Sequence, residues 1–364
     1  LKKRIVLFYF LFFGVLLYPS CKISPTESSW KISSAPQQGF NEHKLDELTT
    51  KIQSGIYKEI HSVLIVRNGY LVYEKYFHGY SKDKIQRVYS VTKSVTSLLV
   101  GIANDKENIT NFNAKLLSFF HEYGTIAHLD SNKRTIRLED ILTMRAGFTW
   151  NEQSAPYGSS NNPAIQLSMS SDWIKYVLDV PMSYIPGTHF TYNSGCSILL
   201  SGILLKTTNK RADVFGYDHI FSKLGIVNYA WDNGPKNITN TGWGLYLKPR
   251  DMAKIGQLVL NRGTWNGKRI VSSAWIDSST TKYVTLQTNP YSYGYQWWLL
   301  PLDSTTTHTP TPNDIRFAWG YGGQFIFVIP YYDLVVVSTA WNPSGDDDLL
   351  TIQFMKEYII KAIQ

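Results

Sequence analysis

Two pairs of β-rich runs, one near each end of the chain, constrain this fold more than any other feature. Val63-Leu64-Ile65-Val66 and Leu71 to Phe77 flank Arg67-Asn68-Gly69, and an Asn-Gly step between β-branched and aromatic runs marks a tight hairpin. Phe325 to Ile329 and Leu334 to Thr339 repeat the device around Pro330-Tyr331-Tyr332-Asp333, and Leu349 to Ile363 then reads as a closing helix. The long middle, about 90–285, is rich in helical patterns and loops. The arrangement predicts an α+β fold: one antiparallel β-sheet, built from about 60–80 and 290–364, flanked by helices, with a largely helical region inserted. With 364 residues, 43% of them hydrophobic, the chain can bury a sizeable core.

The N-terminus reads differently. Lys2, Lys3 and Arg4 precede an apolar run, Ile5 to Leu17. That layout predicts a signal peptide over 1–20, since the run is short of the ~20 residues a spanning helix needs. Ser20 before Cys21 resembles a lipoprotein cleavage site with lipidation at Cys21, although Tyr18 stands where leucine is usual; the alternatives are an ordinary cleaved signal or an uncleaved anchor. Residues 21–42 are Ser/Pro-rich and predict a tether, leaving 43–364 as the folded domain. Within it, Leu45, Leu48, Ile52 and Ile56 carry the spacing of an amphipathic helix. The expected setting is therefore export to the periplasm or cell envelope, with membrane contact through a lipid on Cys21.

Composition removes several classes. Net charge is +8, but three of those charges are Lys2, Lys3 and Arg4, and no dense basic block with interleaved aromatics follows, so nucleic acid is not an expected partner. Two cysteines exclude a disulfide scaffold and a Cys-rich zinc module. The eight histidines show no His-x-x-x-His or His-Glu-x-x-His spacing, so neither a metal nor a cofactor is expected. Asp346-Asp347-Asp348 reads as a solvated turn or helix start. No Gly-x-Ser-x-Gly elbow is present. The 301–314 stretch is Thr/Pro-rich and reads as an exposed loop.

Three segments carry possible chemistry. Ser90-Val91-Thr92-Lys93 is one of four Ser-x-x-Lys matches, but Ser28, Ser81 and Ser279 lie in polar surroundings and only Ser90 opens an apolar helical segment. On a helix, i and i+3 share a face. The unpaired N–H groups of the first turn favour negative charge there. A desolvated lysine at i+3 can then take the serine's proton; the alternative is a capping serine beside a solvated lysine. Phe190-Thr191-Tyr192-Asn193-Ser194-Gly195 offers Tyr192 as a second proton carrier, or simply a buried phenol. Cys196, at the start of an apolar helix face, reads as an inert buried thiol. Phe317-Ala318-Trp319-Gly320-Tyr321-Gly322-Gly323-Gln324 offers either a bulge or an edge strand that presents an oxyanion donor. His189 reads as a hydrogen-bonding or surface residue near Tyr192.

In this order, the three segments resemble the serine β-lactamase-like (class C, penicillin-recognising) hydrolase superfamily, over about residues 43–364. Leu138 to Phe148, Pro186-Gly187-Thr188, Gly244-Leu245, Pro249 to Ala253 and Gly294 to Trp298 also fit. The resemblance implies Ser90 as acyl-forming nucleophile, Lys93 as its base and Tyr192 in proton transfer. It implies an oxyanion hole from the backbone N–H groups of Ser90 and Tyr321, with Ser194, Trp319, Gly320 and Gly322 facing substrate. Two departures, Tyr-x-Ser at 192–194 for Tyr-x-Asn and Ala318-Trp319-Gly320 for Lys/His-Thr-Gly, place the chain nearer the esterase and 6-aminohexanoate-dimer hydrolase branch than the true β-lactamases. The expected partner is a small-molecule or peptide-like acyl substrate. Trp150, Tyr157, Trp173 and Trp319 are candidate pocket walls. The rival expectation is a non-catalytic or slowly turning-over β-lactam- or peptide-binding sensor on the same fold.

Overall fold

The computed structural model describes residues 30–286, 290–302, 314–344 and 346–364. Nine strands pair in one sheet among them: β1 (Lys31–Ile32), β2 (Ile60–Arg67), β3 (Tyr70–Tyr76), β4 (Val284–Thr285), β5 (Ser292–Tyr293), β6 (Trp298–Leu300), β7 (Ile315–Gly320), β8 (Gln324–Ile329) and β9 (Leu334–Ala340). Their order is β1-β3-β2-β9-β8-β7-β6-β5-β4. All neighbours run antiparallel except β1 beside β3. Asn68 (φ 52°) and Gly69 (φ 77°) both take left-handed backbone, the mirror-image turn that matches the twist of a two-residue hairpin. The two hairpins meet at the β2–β9 seam, where Val66 faces Val335 and Leu64 faces Val337.

The sheet is covered on both faces, which is why its central strands read as unbroken apolar runs. Leu64, Val66, Ile326, Val328, Val335 and Val337 join the larger core with α2 (Val91–Asp105), α3 (Ser194–Thr208) and α4 (Pro249–Leu260). Val63, Ile65, Phe325, Phe327 and Val336 join a second core with α1 (Glu42–Gln53) and the C-terminal helical turns. Gly256 lets α4 lie directly on the sheet: a Cβ there would sit 2.5 Å from Val335 and 2.8 Å from Ile326. In α2 every residue from Val91 to Ala103 is buried, so this helix runs through the interior rather than over the surface.

Three expectations are corrected. The first helix stops at Gln53, leaving Ile56 beyond it and exposed. Part of the tether is folded: Trp30 is buried, its indole N–H donating to the Arg250 carbonyl (3.2 Å), and Lys31–Ile32 pairs with β3. The closing helix runs as successive 3-10, α, π and 3-10 turns through Asp347–Leu349, Leu350–Phe354, Met355–Ile359 and Ile360–Ala362. The signal peptide, Cys21 and most of the Thr/Pro-rich stretch lie outside the described residues. No helix among the described residues is long and apolar enough to cross a membrane.

Candidate active site

Ser90 stands where the chain turns into α2. Its side chain makes no capping bond; instead Lys93 Nζ donates to Ser90 Oγ at 2.9 Å. The capping alternative is thereby displaced by the i, i+3 pair. The preceding residue, Tyr89, has φ 46°, a conformation that costs a bulky residue ~1–2 kcal/mol. Packing holds it there: the Tyr89 ring stacks on Trp341 (centroids 5.8 Å apart) and meets Tyr321 edge-on (5.8 Å), while Thr92 Oγ1 donates to its carbonyl.

Lys93 is 1% exposed. Its three neighbours are Ser90 Oγ, Ser194 Oγ (3.1 Å) and the Gly242 carbonyl (2.8 Å). Burial lowers its pKa to about 8, with the negative charge of Glu152 pulling the other way. An amine in that range is substantially neutral near pH 8 and can act as a base. Tyr192, just ahead of α3, lines the same cavity as Ser90, and its phenol pKa is raised by desolvation and by Glu152, with Ser90 pulling it the other way. The Lys93 ammonium lies 5.0 Å from the centre of the Tyr192 ring. Serine, amine and phenol, drawn from two chain-distant segments, thus meet at one point.

The third segment reaches the same point. β7 is paired with β6 only as far as Phe317, so Ala318 to Gly320 form a local edge on that side, beside the start of α2. A Cβ on Gly320 would lie 2.2 Å from the Val88 carbonyl oxygen; only glycine lets the strand pass this close. Tyr321 follows and lines the cavity with Ser90.

Two cavities open at Ser90. One, of about 470 Å³, is walled by Tyr157, Tyr192, Trp298, Trp319 and Tyr321. The other, of about 360 Å³, is lined by Arg87, Tyr89, Tyr157, Ser194, Trp243, Tyr321 and Trp341. Of the proposed walls, Tyr157 and Trp319 face the cavities. Trp150 and Trp173 are core residues instead: the Trp150 indole donates to Glu152 (2.9 Å), and the Trp173 ring packs against Gly234. Ser194 lines the second cavity; Gly320 packs on Val88 and Gly322 against Trp341, and neither glycine is among the residues lining the two cavities. His189 is exposed and stacks on Tyr184 (3.9 Å). Cys196 is buried and its thiol pKa is raised by desolvation. No group of three or more His, Cys, Asp or Glu side chains is arranged to hold a metal among the described residues.

The sequence leaves several residues of the site unmarked, Glu152 above all. Glu152, 1% exposed, accepts from Ser194 N (3.0 Å) and the Trp150 indole on Oε2, and from Ser194 Oγ (3.0 Å) and Tyr157 OH (3.2 Å) on Oε1. Nothing marks it in the sequence, a lone acid at the head of a polar Ser/Asn-rich loop. The Gly242 carbonyl and the walls Trp243, Trp298 and Trp341 were equally silent as site residues.

An antiparallel sheet with an inserted helical region, and a serine, a buried lysine and a tyrosine at their junction, define a serine hydrolase of the penicillin-recognising fold. The chain belongs to the beta-lactamase family, which it matches over residues 59–356. It is 22% identical over 308 residues to 6-aminohexanoate-dimer hydrolase of Paenarthrobacter ureafaciens, covering 78% of this chain and 73% of that protein. Among solved structures it is similar to a Bacillus anthracis protein provisionally named 6-aminohexanoate-dimer hydrolase (TM-score 0.74, 20% identity, 94% of this chain and 90% of that one). It is also similar to EstCE1, a hydrolase with promiscuous acyltransferase activity (TM-score 0.70, 16% identity, 86% and 99%). At these identities the structural likeness speaks for the fold.

Proposed function

We propose that this chain hydrolyses esters or linear amides through an acyl-enzyme on Ser90. The observation that carries the reading is the 2.9 Å contact between buried Lys93 Nζ and Ser90 Oγ, with Ser90 lining a cavity large enough for a small acyl substrate. The Ser90 hydroxyl proton passes to Lys93 as Oγ bonds to the substrate carbonyl carbon, and the carbonyl π pair moves onto oxygen. Backbone N–H groups of Ser90 and Tyr321 stabilise that oxyanion. Collapse breaks the bond to the alcohol or amine, which takes the Tyr192 proton, and Lys93 reprotonates Tyr192. Water then gives a proton back through Tyr192 and Lys93, attacks the acyl carbon, and frees the acid and the Ser90 hydroxyl.

The lining favours neutral substrates over penicillins. Ala318-Trp319-Gly320 stands where the penicillin-binding members carry a cation-led triplet, so the cation is missing there, and Arg87, the cation of the second cavity, is already paired with Asp232 (3.2 Å). The chain is further proposed to act outside the cytoplasm, held by a lipid on Cys21; the basic and apolar run before that cysteine supports this. The test is steady-state hydrolysis of p-nitrophenyl acetate and butyrate, linear amides and penicillins by wild type and Ser90→Ala. Sustained ester or amide turnover that Ser90→Ala loses, together with fluorophosphonate labelling at Ser90, is expected. A single stoichiometric burst would mark a trap, and labelling that survives Ser90→Ala would remove Ser90 from the role.

A further inference from the structure

The reaction needs a lone pair on Lys93 that points at Ser90, and nothing in a flexible amine guarantees that direction. A neutral lysine has two N–H bonds and one lone pair, and Lys93 has three close neighbours. The Gly242 carbonyl can only accept. The hydroxyls of Ser90 and Ser194 can each accept or donate, so either can capture the lone pair, and only one of the two outcomes is productive.

We infer that Glu152 is a positioning residue that resolves this choice by fixing the Ser194 hydroxyl hydrogen. An ionised carboxylate is acceptor-only. Oε2 is occupied by the Ser194 backbone N–H and the Trp150 indole, both incapable of accepting, and Oε1 lies 3.0 Å from Ser194 Oγ. The Ser194 hydrogen therefore points at Glu152, and its oxygen faces Lys93 as an acceptor. With Gly242 and Ser194 both accepting, the Lys93 lone pair is left for the Ser90 hydroxyl. After proton transfer the same three groups accept all three ammonium N–H bonds, so neither protonation state leaves an N–H unpaired. Glu152 also receives Tyr157, a wall of both cavities, which ties the 151–160 loop to the catalytic lysine. This explains the Tyr-x-Ser sequence: serine at 194 works because a carboxylate behind it commits its hydrogen.

The inference rests on the Ser90 acyl-enzyme reading and makes a prediction of its own. In Glu152→Gln the amide oxygen stays with the two fixed N–H donors, and the amide NH2 faces Ser194 and Tyr157. The Ser194 hydroxyl then turns to accept from the amide, aims its hydrogen at Lys93, and captures the lone pair. With p-nitrophenyl butyrate, kcat is expected to fall on the order of 100-fold, the scale of lost base catalysis, with KM changed less than threefold and the melting curve retained. Ser194→Ala removes the competing donor and is expected to cost less than Glu152→Gln. The double variant Glu152→Gln/Ser194→Ala is expected to recover to the level of Ser194→Ala alone, because Glu152 acts through Ser194. A purely structural or purely Coulombic role would keep the Glu152→Gln loss in the Ser194→Ala background, and that result would overturn the inference. So would unchanged kcat in folded Glu152→Gln. Ser90→Ala assayed alongside separates the two claims: if Ser90→Ala keeps full activity, the nucleophile assignment fails; if it loses activity while the Glu152 pattern is absent, only the positioning role fails.

Discussion

Lys93 shows how one buried side chain sets the working range of a site. Desolvation by α2, α3 and the 240–243 turn brings its pKa down to about 8, while Glu152 raises it. The base must be neutral, so activity is carried by the deprotonated form, which grows as pH rises. Ester kcat/KM is expected to climb about tenfold per pH unit below 8 and to flatten above it. Tyr192 imposes no loss on the alkaline side up to pH 10, because burial raises its phenol pKa and keeps it a proton donor. A pH–rate profile checks this; a flat profile from pH 6 to 9 would mean that Lys93 is not the titrating base. The roles proposed for Ser90, Lys93 and Tyr192 were readable because each has a distinctive chemical group at a distinctive place in the chain. Glu152 was not readable, since its meaning lies in a partner 42 residues away on another element.

At the scale of elements, legibility followed local chemistry. Asn68-Gly69 dictates its own turn, and the apolar stretch after Ser90 dictates a buried helix. The boundary of α1 was misjudged because Ile56 continues the apolar spacing past Gln53 while the chain has already turned at Gly55 (φ 80°). The fold of residues 30–41 was missed because it is held by tertiary contacts: Trp30 edge-on to Trp265 (5.8 Å) and a two-residue parallel pairing leave no periodic trace. β7 carries the sharpest element-level consequence. Gly320→Ala would set a methyl 2.2 Å from the Val88 carbonyl oxygen, and backbone cannot yield as a flexible side chain can. The end of β7 is expected to move away from Ser90, taking the Tyr321 N–H with it. Loss of one oxyanion donor costs ~10²–10³-fold in kcat, and ester kinetics with a thermal melt would register both the rate loss and the strain. Wild-type turnover by Gly320→Ala would argue against Tyr321 as a donor.

For the whole molecule, the sheet is a closure device. β9, from the C-terminal hairpin, is inserted between β2 and β8, so the N- and C-terminal pieces fold as one body and the inserted helical region is held from both sides. The ends are zipped together on the face away from the cleft: Asn41 N donates to the Ala362 carbonyl (2.7 Å), Gln364 N to the Gly39 carbonyl (2.9 Å), and Phe40 bridges Ile363. These contacts belong to the second core, with α1, whereas the Ser90 cavities are walled chiefly by residues packed on the first. Removing residues 360–364 would break both hydrogen bonds, each worth ~1 kcal/mol, and uncover Phe40, which is 1% exposed. A loss of about 2–4 kcal/mol is expected, read as a melting temperature several degrees lower. Ester turnover at 25 °C by the truncated chain should stay near wild type, because no group that touches Ser90 is anchored there. A truncation that kept its melting temperature but lost activity would show the reverse coupling, with the end zipper holding the cleft rather than the body.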